Sequence, residues 1–299
     1  MLPTLLRRST CSTTSSVTPQ QLPPLLWTYL PSHLPYTLGL TLQESLVQHR
    51  LSAKLSLQSP SLSSSEVEKL NRIASTDILL LLQHTPVYTA GKREKDPITA
   101  EREKERLGKL GGDYVLTGRG GQTTFHGPGQ LVGYPLIDLG QSKLSTRCYV
   151  DKLEKFLESL VGSFNVPIHD LPHTGVFCSP TTKVASIGVQ IRRRITMHGF
   201  SINVEEQTKR WFDQIVACGL EDVTSTSVEA ELRRLGRLRG EEEVKVSGAV
   251  DRTVELFGKR YGREMRELRE GDEHEEVRKM INDGVEGKLG EVKREMMGV

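Results

Sequence analysis

Glycine is concentrated between positions 118 and 133, where it occurs at 118, 120, 121, 127, 129 and 133. A glycine inside a helix costs about 1 kcal/mol relative to alanine, and its particular use is a positive φ or a close approach of backbone to another group. Arg119 and His126 lie among these glycines, and an apolar segment follows at 131–139. A glycine-rich loop that carries a cation and a histidine beside a strand is typical of a binding loop. An ordinary hairpin loop with an exposed arginine is the alternative interpretation.

The spacing of the glycines excludes two nucleotide-binding motifs. The dinucleotide fingerprint Gly-x-Gly-x-x-Gly would require glycine where Thr123 or Val132 stands. The phosphate loop requires Gly-Lys followed by Ser or Thr, and that triplet occurs nowhere in the sequence. We therefore do not expect this loop to hold a nucleotide.

The composition is that of a globular protein with ordinary charge. The chain has 299 residues, of which 36% are hydrophobic, and a net charge of +2, which suits one large domain or two small ones. The chain has no overall excess of positive charge that would indicate nucleic-acid binding. No apolar run reaches the roughly 18 residues of a transmembrane helix. Cys11, Cys148, Cys178 and Cys218 form no Cys-x-x-Cys pair, so we expect thiols and no zinc site.

The two ends of the chain differ from its middle. Residues 1–26 contain Arg7 and Arg8, many Ser and Thr and no acid, which is the composition of a mitochondrial transit peptide. A disordered tail without a targeting role is the alternative. From Tyr261 onward Glu, Arg, Lys and Gly dominate. We therefore predict a disordered targeting segment at 1–26, a folded domain at 27–260, and a charged, solvated tail at 261–299.

Hydrophobic periodicity predicts a mixture of helices and strands. Repeats of three and four favour helices, and short apolar or alternating runs favour strands. The segment 92–106 is charged and is expected to be mobile and solvated. The predicted helices are 41–55, 66–73, 149–161 and a charged helical region from 232 that ends in an apolar stripe at 250, 254 and 257; the predicted strands are 78–82, 115–116, 131–139, 176–178, 184–191 and 195–204.

A metal site at His169 and His173 is not expected. Two histidines four residues apart can bind zinc on a helix, but Pro172 would break such a helix, and no Glu follows the first histidine. We predict no metal.

Cys218 has the sequence context of a nucleophile, since it follows an apolar stretch of the chain and precedes Gly219. A free thiol has a pKa of about 8.5, which a neighbouring cation lowers. A small buried hydrophobe is the alternative role for any cysteine. Cys148, at the start of a predicted helix, and Cys178, in a predicted strand, fit that alternative.

Five segments of the chain carry long and specific residue patterns. They are Arg119-Gly120-Gly121 with Thr124-Phe125-His126, Gln130 and Tyr134; His84-Thr-Pro-Val-Tyr-Thr-Ala-Gly91; Thr182-Lys183-Val-Ala-Ser-Ile-Gly-Val189; Thr196-Met-His-Gly-Phe-Ser-Ile-Asn-Val204; and Ile215-Val-Ala-Cys218-Gly219. Together they resemble the signature of the octanoyl-(acyl carrier protein):protein N-octanoyltransferases, the lipoyl(octanoyl) transferases. The resemblance covers roughly residues 40–257, and Ala217 departs from it, because proline usually precedes the cysteine there.

The resemblance implies a fold, a dyad and a set of binding segments. The fold would be α/β (α+β), with mixed β-sheets and flanking helices, similar to the biotin and lipoate–protein ligase catalytic fold. Cys218 would form an acyl-thioester intermediate, and Lys183 would lower the pKa of its thiol. The acyl-binding residues would be Arg119, Gly120, Gly121, Gln122, Thr123, Thr124, Phe125, His126, Ser186, Ile187, Gly188, Gly199, Phe200 and Ser201.

The resemblance also implies the reaction and its partners. An octanoyl or lipoyl group would pass from octanoyl-acyl carrier protein to a lysine in lipoyl domains of 2-oxoacid dehydrogenases and of the glycine cleavage H protein. The reaction would occur in the mitochondrial matrix, with no cofactor, no nucleic acid and no membrane. Two alternatives remain: an ATP-dependent lipoate–protein ligase, and a non-catalytic protein that binds lipoyl domains. Cys218 with Lys183 argues against both.

Overall fold

The computed structural model describes residues 22–94, 96–238 and 244–289, apart from the side chain of Cys218. Most of the predicted targeting segment therefore lies outside the described residues. In the described part the strands are β1 Leu25–Leu34, β2 Ile78–His84, β3 Val87–Ala90, β4 Asp113–Leu116, β5 Thr124–His126, β6 Gln130–Leu136, β7 Val176–Ser179, β8 Thr182–Arg192, β9 Ile195–Asn203, β10 Thr224–Ser225 and β11 Met265–Glu267. The helices there are α1 Tyr36–Ser56, α2 Ser64–Ser75, α3 Pro97–Gly108, α4 Thr146–Ser163, α5 Lys209–Phe212, α6 Val228–Arg234, α7 Val246–Tyr261 and α8 Glu275–Val285.

The strands form two sheets. In the large one the order is β10-β8-β9-β6-β2-β1-β11, with β7 also paired to β8; the small one has the order β4-β3-β5. β2 lies in the middle of the large sheet, where it pairs parallel with β1 and antiparallel with β6. Its five aliphatic residues, 78–82, are almost completely buried, as expected for an apolar strand covered on both faces. The predicted mixed α/β fold is confirmed.

Each face of the large sheet is covered by its own pair of helices. The amphipathic helices α4 and α7 pack on one face, around Phe156, Phe200 and Phe257. Helices α1 and α8 pack on the other face, around Leu42 and Ile281. This layered packing removes both apolar faces from water.

Three segments differ from the sequence-based predictions. The segment expected to be mobile at 92–106 contains α3, which begins with Asp96 as N-cap and Pro97 in the first turn, and which buries Ala100 and Leu107. The N-cap, the proline in the first turn and the two buried apolar residues stabilise this helix despite its many charged residues.

The segment predicted as a solvated tail from 261 is partly folded into the domain. β11 pairs with β1, and α8 buries Val277 and Ile281. The apolar residues that carry this packing, among them Val277, Met280 and Ile281, stand between many charged ones, so the charged composition concealed it. At the other end, Leu25 and Leu26 belong to β1 and are buried, so a boundary at residue 26 would cut a strand.

The cysteines also differ in part from expectation. Cys178 is a buried free thiol, and burial raises its pKa to about 12. Cys148 is disulfide-bonded, which corrects the expectation of thiols throughout. Across the described residues we find no helix with the length and apolarity needed to cross a membrane.

Candidate functional site

A cavity of about 560 Å³ lies where the glycine-rich loop, the two long antiparallel strands β8 and β9, and the turn at 217–219 meet. Lys183 and Val150 contribute to its wall from β8 and α4. Val132, Ile187 and Phe200 supply apolar surface. A space of this size with an apolar wall and a few polar groups is typical of a binding site for a small ligand or an acyl chain.

Backbone contacts fix the glycine-rich loop against its neighbours. The amide of Gly120 donates to the carbonyl of Val189 on β8, at 3.0 Å. A Cβ on Gly91 would come within 2.3 Å of the Gly121 carbonyl oxygen, and a Cβ on Gly188 within 3.0 Å of Arg119 Cδ. Glycine at these positions therefore allows the loop to lie directly on two strands.

The guanidinium of Arg119 lies inside this loop and points back into the protein. Arg119 is 5% exposed, and its Nη2 donates to both the carbonyl and the hydroxyl oxygen of Thr89. Its Nη1 donates to the Gly120 carbonyl at 3.1 Å. Arg119 thus holds the loop closed on β3 and places a permanent positive charge next to the cavity.

Three buried histidines lie at or directly behind the cavity wall: His126 and His198 line the cavity, and His84 packs against His126 with 6.0 Å between the ring centres. His84 Nδ1 lies 2.7 Å from the Leu34 carbonyl and its Nε2 lies 2.6 Å from the Tyr134 hydroxyl; burial lowers its pKa to about 4. Burial and then His84 and Arg119 lower the pKa of His126 well below its usual value. Burial, with Arg119 and His84, lowers the pKa of His198 to about 3. All three rings are neutral at physiological pH.

Two polar atoms in the cavity wall have no hydrogen-bond partner among the residues that the structure describes. They are His198 Nε2 and Thr124 Oγ1, and both side chains line the cavity. His198 also has a φ of +56°, which is uncommon for a residue other than glycine. Since buried polar groups are nearly always paired, these two atoms suit hydrogen bonds to a group inside the cavity.

Lys183 is buried at the opposite part of the cavity. It is 7% exposed, its Nζ donates to the Thr174 carbonyl at 3.0 Å, and its ammonium lies 5.3 Å from the centre of the Phe177 ring. Gly175 has a φ of +121°, and a Cβ there would come within 2.5 Å of Lys183 Cε. The strand β7 and the loop before it therefore hold the ammonium in place.

The turn that contains Cys218 lies against β5 and the glycine-rich loop. Residues Ala217–Gly219 form a 3₁₀ turn in contact with β5. Gly219 has a φ of +68°, and a Cβ on it would come within 2.1 Å of Gln122 Oε1. The structure thus brings the backbone of the Cys-Gly pair beside the glycine-rich loop, while the position of the Cys218 sulfur lies outside the described side chains.

Most of the residues that the resemblance assigned to acyl binding line this one cavity. Thr123 and Phe125 do not: Thr123 donates to Glu94, and Phe125 is fully buried and stacks on Trp211 with a centroid distance of 5.2 Å. The assigned residues in the wall are Arg119, Gly120, Gly121, Gln122, Thr124, His126, Ser186, Ile187, Gly188, Gly199, Phe200 and Ser201.

The cavity wall also contains residues that the sequence did not single out. Tyr36, at the start of α1, stacks on His126 at 6.1 Å, and burial raises its pKa to about 12. Thr174 and Val150 come from two further segments. His198 lies in the segment 196–204 that resembles the family, between Thr196 and Gly199, so the sequence offered a pattern by which it could have been found. No sequence pattern pointed to Tyr36.

Residues 37–257 match the family described as the lipoyl protein ligase A/B catalytic domain. The chain belongs to this family. Among the described residues, no cluster of three or more His, Cys, Asp or Glu side chains could hold a metal ion.

Relatives within this family include octanoyltransferases. The chain is 39% identical over 183 residues to the mitochondrial octanoyl-[acyl-carrier-protein]:protein N-octanoyltransferase of Danio rerio, an alignment that covers 61% of this chain and 76% of that protein. It is 40% identical over 174 residues to an octanoyltransferase of Rubrobacter xylanophilus, covering 58% of this chain and 77% of that protein.

Solved structures of lipoate–protein ligases share the fold. A chain from an archaeal lipoylation system, a bipartite lipoate protein ligase and its E2 lipoyl domain from Thermoplasma acidophilum, superposes with a TM-score of 0.54, 12% identity, and coverage of 91% of this chain and all of that one. Lipoate–protein ligase A bound with ATP has a TM-score of 0.50 at 12% identity, covering 90% of this chain and all of that one. At this identity the likeness shows the fold alone.

Proposed function

We propose that this chain transfers an octanoyl or lipoyl group from acyl carrier protein to a specific lysine of lipoyl domains, through a thioester on Cys218. The observation that carries the proposal is the single cavity into which the chain folds Lys183, Gly219 and three separate segments at 119–126, 186–188 and 199–201. The names of the octanoyltransferase relatives support the same reaction.

The first half of the reaction forms the acyl-enzyme. The Cys218 thiolate attacks the thioester carbonyl of the acyl donor, the new C–S bond forms, and the bond to the carrier sulfur breaks, so that the carrier leaves as a thiolate that takes up a proton. A thiolate is needed because the neutral thiol is a weak nucleophile. Lys183, an ammonium buried in the cavity wall, favours that thiolate through its charge and can pass the thiol proton to the leaving sulfur.

The second half transfers the acyl group to an amine. The neutral lysine amine of the acceptor attacks the thioester carbonyl on Cys218, a C–N bond forms, and the thiolate of Cys218 leaves with the proton that the amine loses. In this proposal the developing oxyanion accepts hydrogen bonds from backbone amides of the glycine-rich loop. The apolar wall at Val132, Ile187 and Phe200 holds the acyl chain. No ATP is consumed, because the thioester is already activated.

The cellular assignments are part of this proposal. Two relatives, from Danio rerio and Drosophila melanogaster, are mitochondrial by name, and the first residues have the composition of a transit peptide. We place the reaction in the mitochondrial matrix, with lipoyl domains of 2-oxoacid dehydrogenases and the glycine cleavage H protein as acceptors. The targeting segment ends before Leu25, which is buried in β1.

A transfer assay separates the transferase from a ligase. The full chain is mixed with a lipoyl domain and either octanoyl-acyl carrier protein without ATP, or free octanoate with ATP. We expect octanoylation of the domain only with the carrier-bound donor, with loss of transfer in Cys218→Ala. Cys178→Ala is the matched control, because its buried thiol lies outside the cavity wall. Transfer that needs octanoate and ATP would establish the ligase instead, and binding of the domain without transfer under either condition would establish a binding protein.

A further inference from the structure

The side-chain amide of Gln130 links His126, which lines the cavity, to Asn203 on β9, the strand that pairs with the Lys183 strand β8. Its Nε2 donates to the Phe125 carbonyl at 3.1 Å and to Asn203 Oδ1 at 2.8 Å. Its Oε1 lies 2.7 Å from His126 Nδ1. Because both hydrogens of the amide are used on oxygen acceptors, Oε1 accepts in the third contact.

Asn203 fixes the orientation of that amide. Its Nδ2 lies 3.0 Å from the Thr226 carbonyl, which can only accept, so this atom is the nitrogen. The same Nδ2 donates to Ser225 Oγ at 2.8 Å, and Oδ1 is left to accept from Gln130. Ser225 is the residue that pairs with Lys183 between β10 and β8. Donation in this chain of bonds thus runs in one direction, from the cavity through the amides of Gln130 and Asn203 to the Thr226 carbonyl, which follows β10.

This direction determines the tautomer of His126. Nδ1 must carry the hydrogen, since it faces an acceptor oxygen, and Nε2 of the neutral ring is therefore an acceptor. His126 is 8% exposed and lines the cavity, and its Nε2 makes no hydrogen bond to the described residues. The ring stays neutral because burial, His84 and Arg119 lower its pKa. An acceptor nitrogen cannot stabilise an oxyanion, so His126 must serve a group that has a hydrogen to donate.

Three groups bond to the reacting carbonyl carbon during the proposed transfer: the carrier sulfur, the Cys218 sulfur and the acceptor amine. Of these, only the amine carries an N–H donor. We propose that His126 Nε2 accepts a hydrogen bond from the attacking amine, and that Gln130 and Asn203 are positioning residues that keep this nitrogen unprotonated. The inference rests on the proposed function. The bond orients the amine lone pair toward the thioester carbonyl; the C–N bond forms as the C–S bond breaks, and the amine proton ends on the Cys218 sulfur, with His126 neutral throughout.

The test measures the two halves of the reaction separately in the full chain. Rapid quenching gives the rate of acyl-enzyme formation from octanoyl-acyl carrier protein, and a second mixing with a lipoyl domain gives the rate of its aminolysis. For His126→Leu we expect aminolysis to fall by about tenfold or more, the loss of one hydrogen bond in the transition state, with acylation changed by less than about threefold. Equal slowing of both steps, or of neither, would overturn the inference.

Substitutions of Gln130 test positioning with a readout that a loss of packing does not produce. The groups that face the His126 ring are Arg119 from the loop, His84 from β2, His198 from β9 and Tyr36 from α1. In Gln130→Glu a carboxylate still accepts from Nδ1, and its charge raises the pKa of the ring. We expect a new ionisation in the aminolysis rate, which falls as the pH decreases and His126 takes up a proton.

Gln130→Met is the matched control, because the methionine side chain is of similar size but is a much weaker hydrogen-bond acceptor and carries no charge. It should slow aminolysis without the new ionisation. A pH profile of Gln130→Glu that matches the wild type or the methionine variant would overturn the positioning role. If the wild-type chain forms no acyl-enzyme, the proposed function fails together with this inference. If the wild type transfers the acyl group but the His126 and Gln130 variants do not slow aminolysis more than acylation, the inference alone fails.

Discussion

Gly219 and Gly236 adopt nearly the same left-handed backbone but have different surroundings. Their φ values are +68° and +65°; a Cβ on Gly219 would meet Gln122 Oε1, whereas a Cβ on Gly236 would meet no atom within 4 Å. Alanine at either position costs about 1–2 kcal/mol of conformational energy. Only at Gly219 must the end of the Gln122 side chain, which belongs to the glycine-rich loop, also shift.

We therefore expect the two alanine variants to separate strain from function. Both should lower the free energy of unfolding by a similar amount in urea denaturation. Gly219→Ala should in addition reduce octanoyl transfer by about tenfold or more, since displacement of a catalytic group by ~1 Å can cost far more than that, while Gly236→Ala keeps wild-type transfer. Equal activity of the two variants would show that the Gly219–Gln122 contact has no part in the site.

His84 should make the stability of the protein depend on pH. Its pKa is about 4 in the folded chain and about 6.5 in an unfolded one. Below pH 6.5 the unfolded chain takes up a proton that the folded chain does not, so this contribution is fully present above pH 6.5 and is lost as the pH falls toward about 4. Between pH 7 and pH 5 the loss is roughly 2 kcal/mol. His84→Gln should reduce the pH dependence of urea unfolding by about that amount; an unchanged dependence would contradict the assignment.

Single residues of the site were predictable where a motif named them. The segments around Arg119, Ser186 and Gly199 were assigned through the resemblance, and the structure places them on one cavity wall apart from Thr123 and Phe125. Tyr36 was not, because it reaches His126 only through the fold, about 90 positions along the chain. Side chains brought together by tertiary contact leave no local pattern.

At the scale of elements, an aromatic cluster holds the segment before the Cys218 turn on the small sheet. Trp211 at α5 stacks on Phe125 of β5 with an angle of 7° between the rings, and the Tyr88 hydroxyl donates to the Trp211 carbonyl at 3.0 Å. Phe212 packs edge-on against the same Phe125 ring. Phe125 therefore acts on the cavity through packing and not as part of its wall.

Loosening this cluster should affect activity more than its effect on stability explains. Trp211→Leu removes an aromatic pair worth about 0.5–1.5 kcal/mol beyond the buried area and frees the segment that leads to the turn. We expect octanoyl transfer to fall by about tenfold, measured under conditions where circular dichroism shows the variant folded. Phe164→Leu is the control, since its half-buried ring at the end of α4 packs under Arg252; if it loses as much transfer, the cluster has no special role.

Elements with strong periodicity were predicted well, and those formed through capping or pairing were not. The apolar strand β2 and the helix α4 were found, and Ser145 is the N-cap of α4. β1 was missed because it contains Pro31 and shifts register between Leu30 and His33. The helix α3 and the packing of α8 on the domain were missed because each helix buries only a few apolar residues among many charges.

At the scale of the whole molecule, one buried carboxylate joins distant parts of the chain. Asp77, just before β2, accepts from Arg50 of α1 at 2.9 Å and from Arg263 after α7 at 2.5 Å. Arg263 also donates to the carbonyl of Pro23, ahead of β1. The three ionised side chains are each at most 5% exposed. This cluster ties both ends of the described chain to the centre of the large sheet.

Removing that carboxylate should be costly, because it leaves two buried cations without their partner. We expect Asp77→Asn to lower the free energy of unfolding by about 3–5 kcal/mol. Glu158→Gln, which breaks an exposed pair with Lys155 on α4, should cost less than about 1 kcal/mol. Urea denaturation of both variants checks this, and equal effects would mean that the cluster is not a structural tie.

The overall architecture was reached through the resemblance and not through local patterns. Periodicity indicated helices and strands in roughly the right places, but the pairing of β1 with β11, from opposite ends of the described chain, has no local signature. The sheet order depends on such long-range pairs. The same limitation applies to the C-terminal boundary, since the burial of α8 depends on α1 being present beneath it.

The most direct test of the proposed reaction is the intact mass of the full chain after mixing with octanoyl-acyl carrier protein. We predict an added octanoyl group that maps to Cys218, that is absent in Cys218→Ala but present in Cys178→Ala, that forms more slowly in Lys183→Ala, and that disappears when a lipoyl domain is added without ATP. An octanoylated lipoyl domain produced by Cys218→Ala at the wild-type rate would contradict the thioester intermediate.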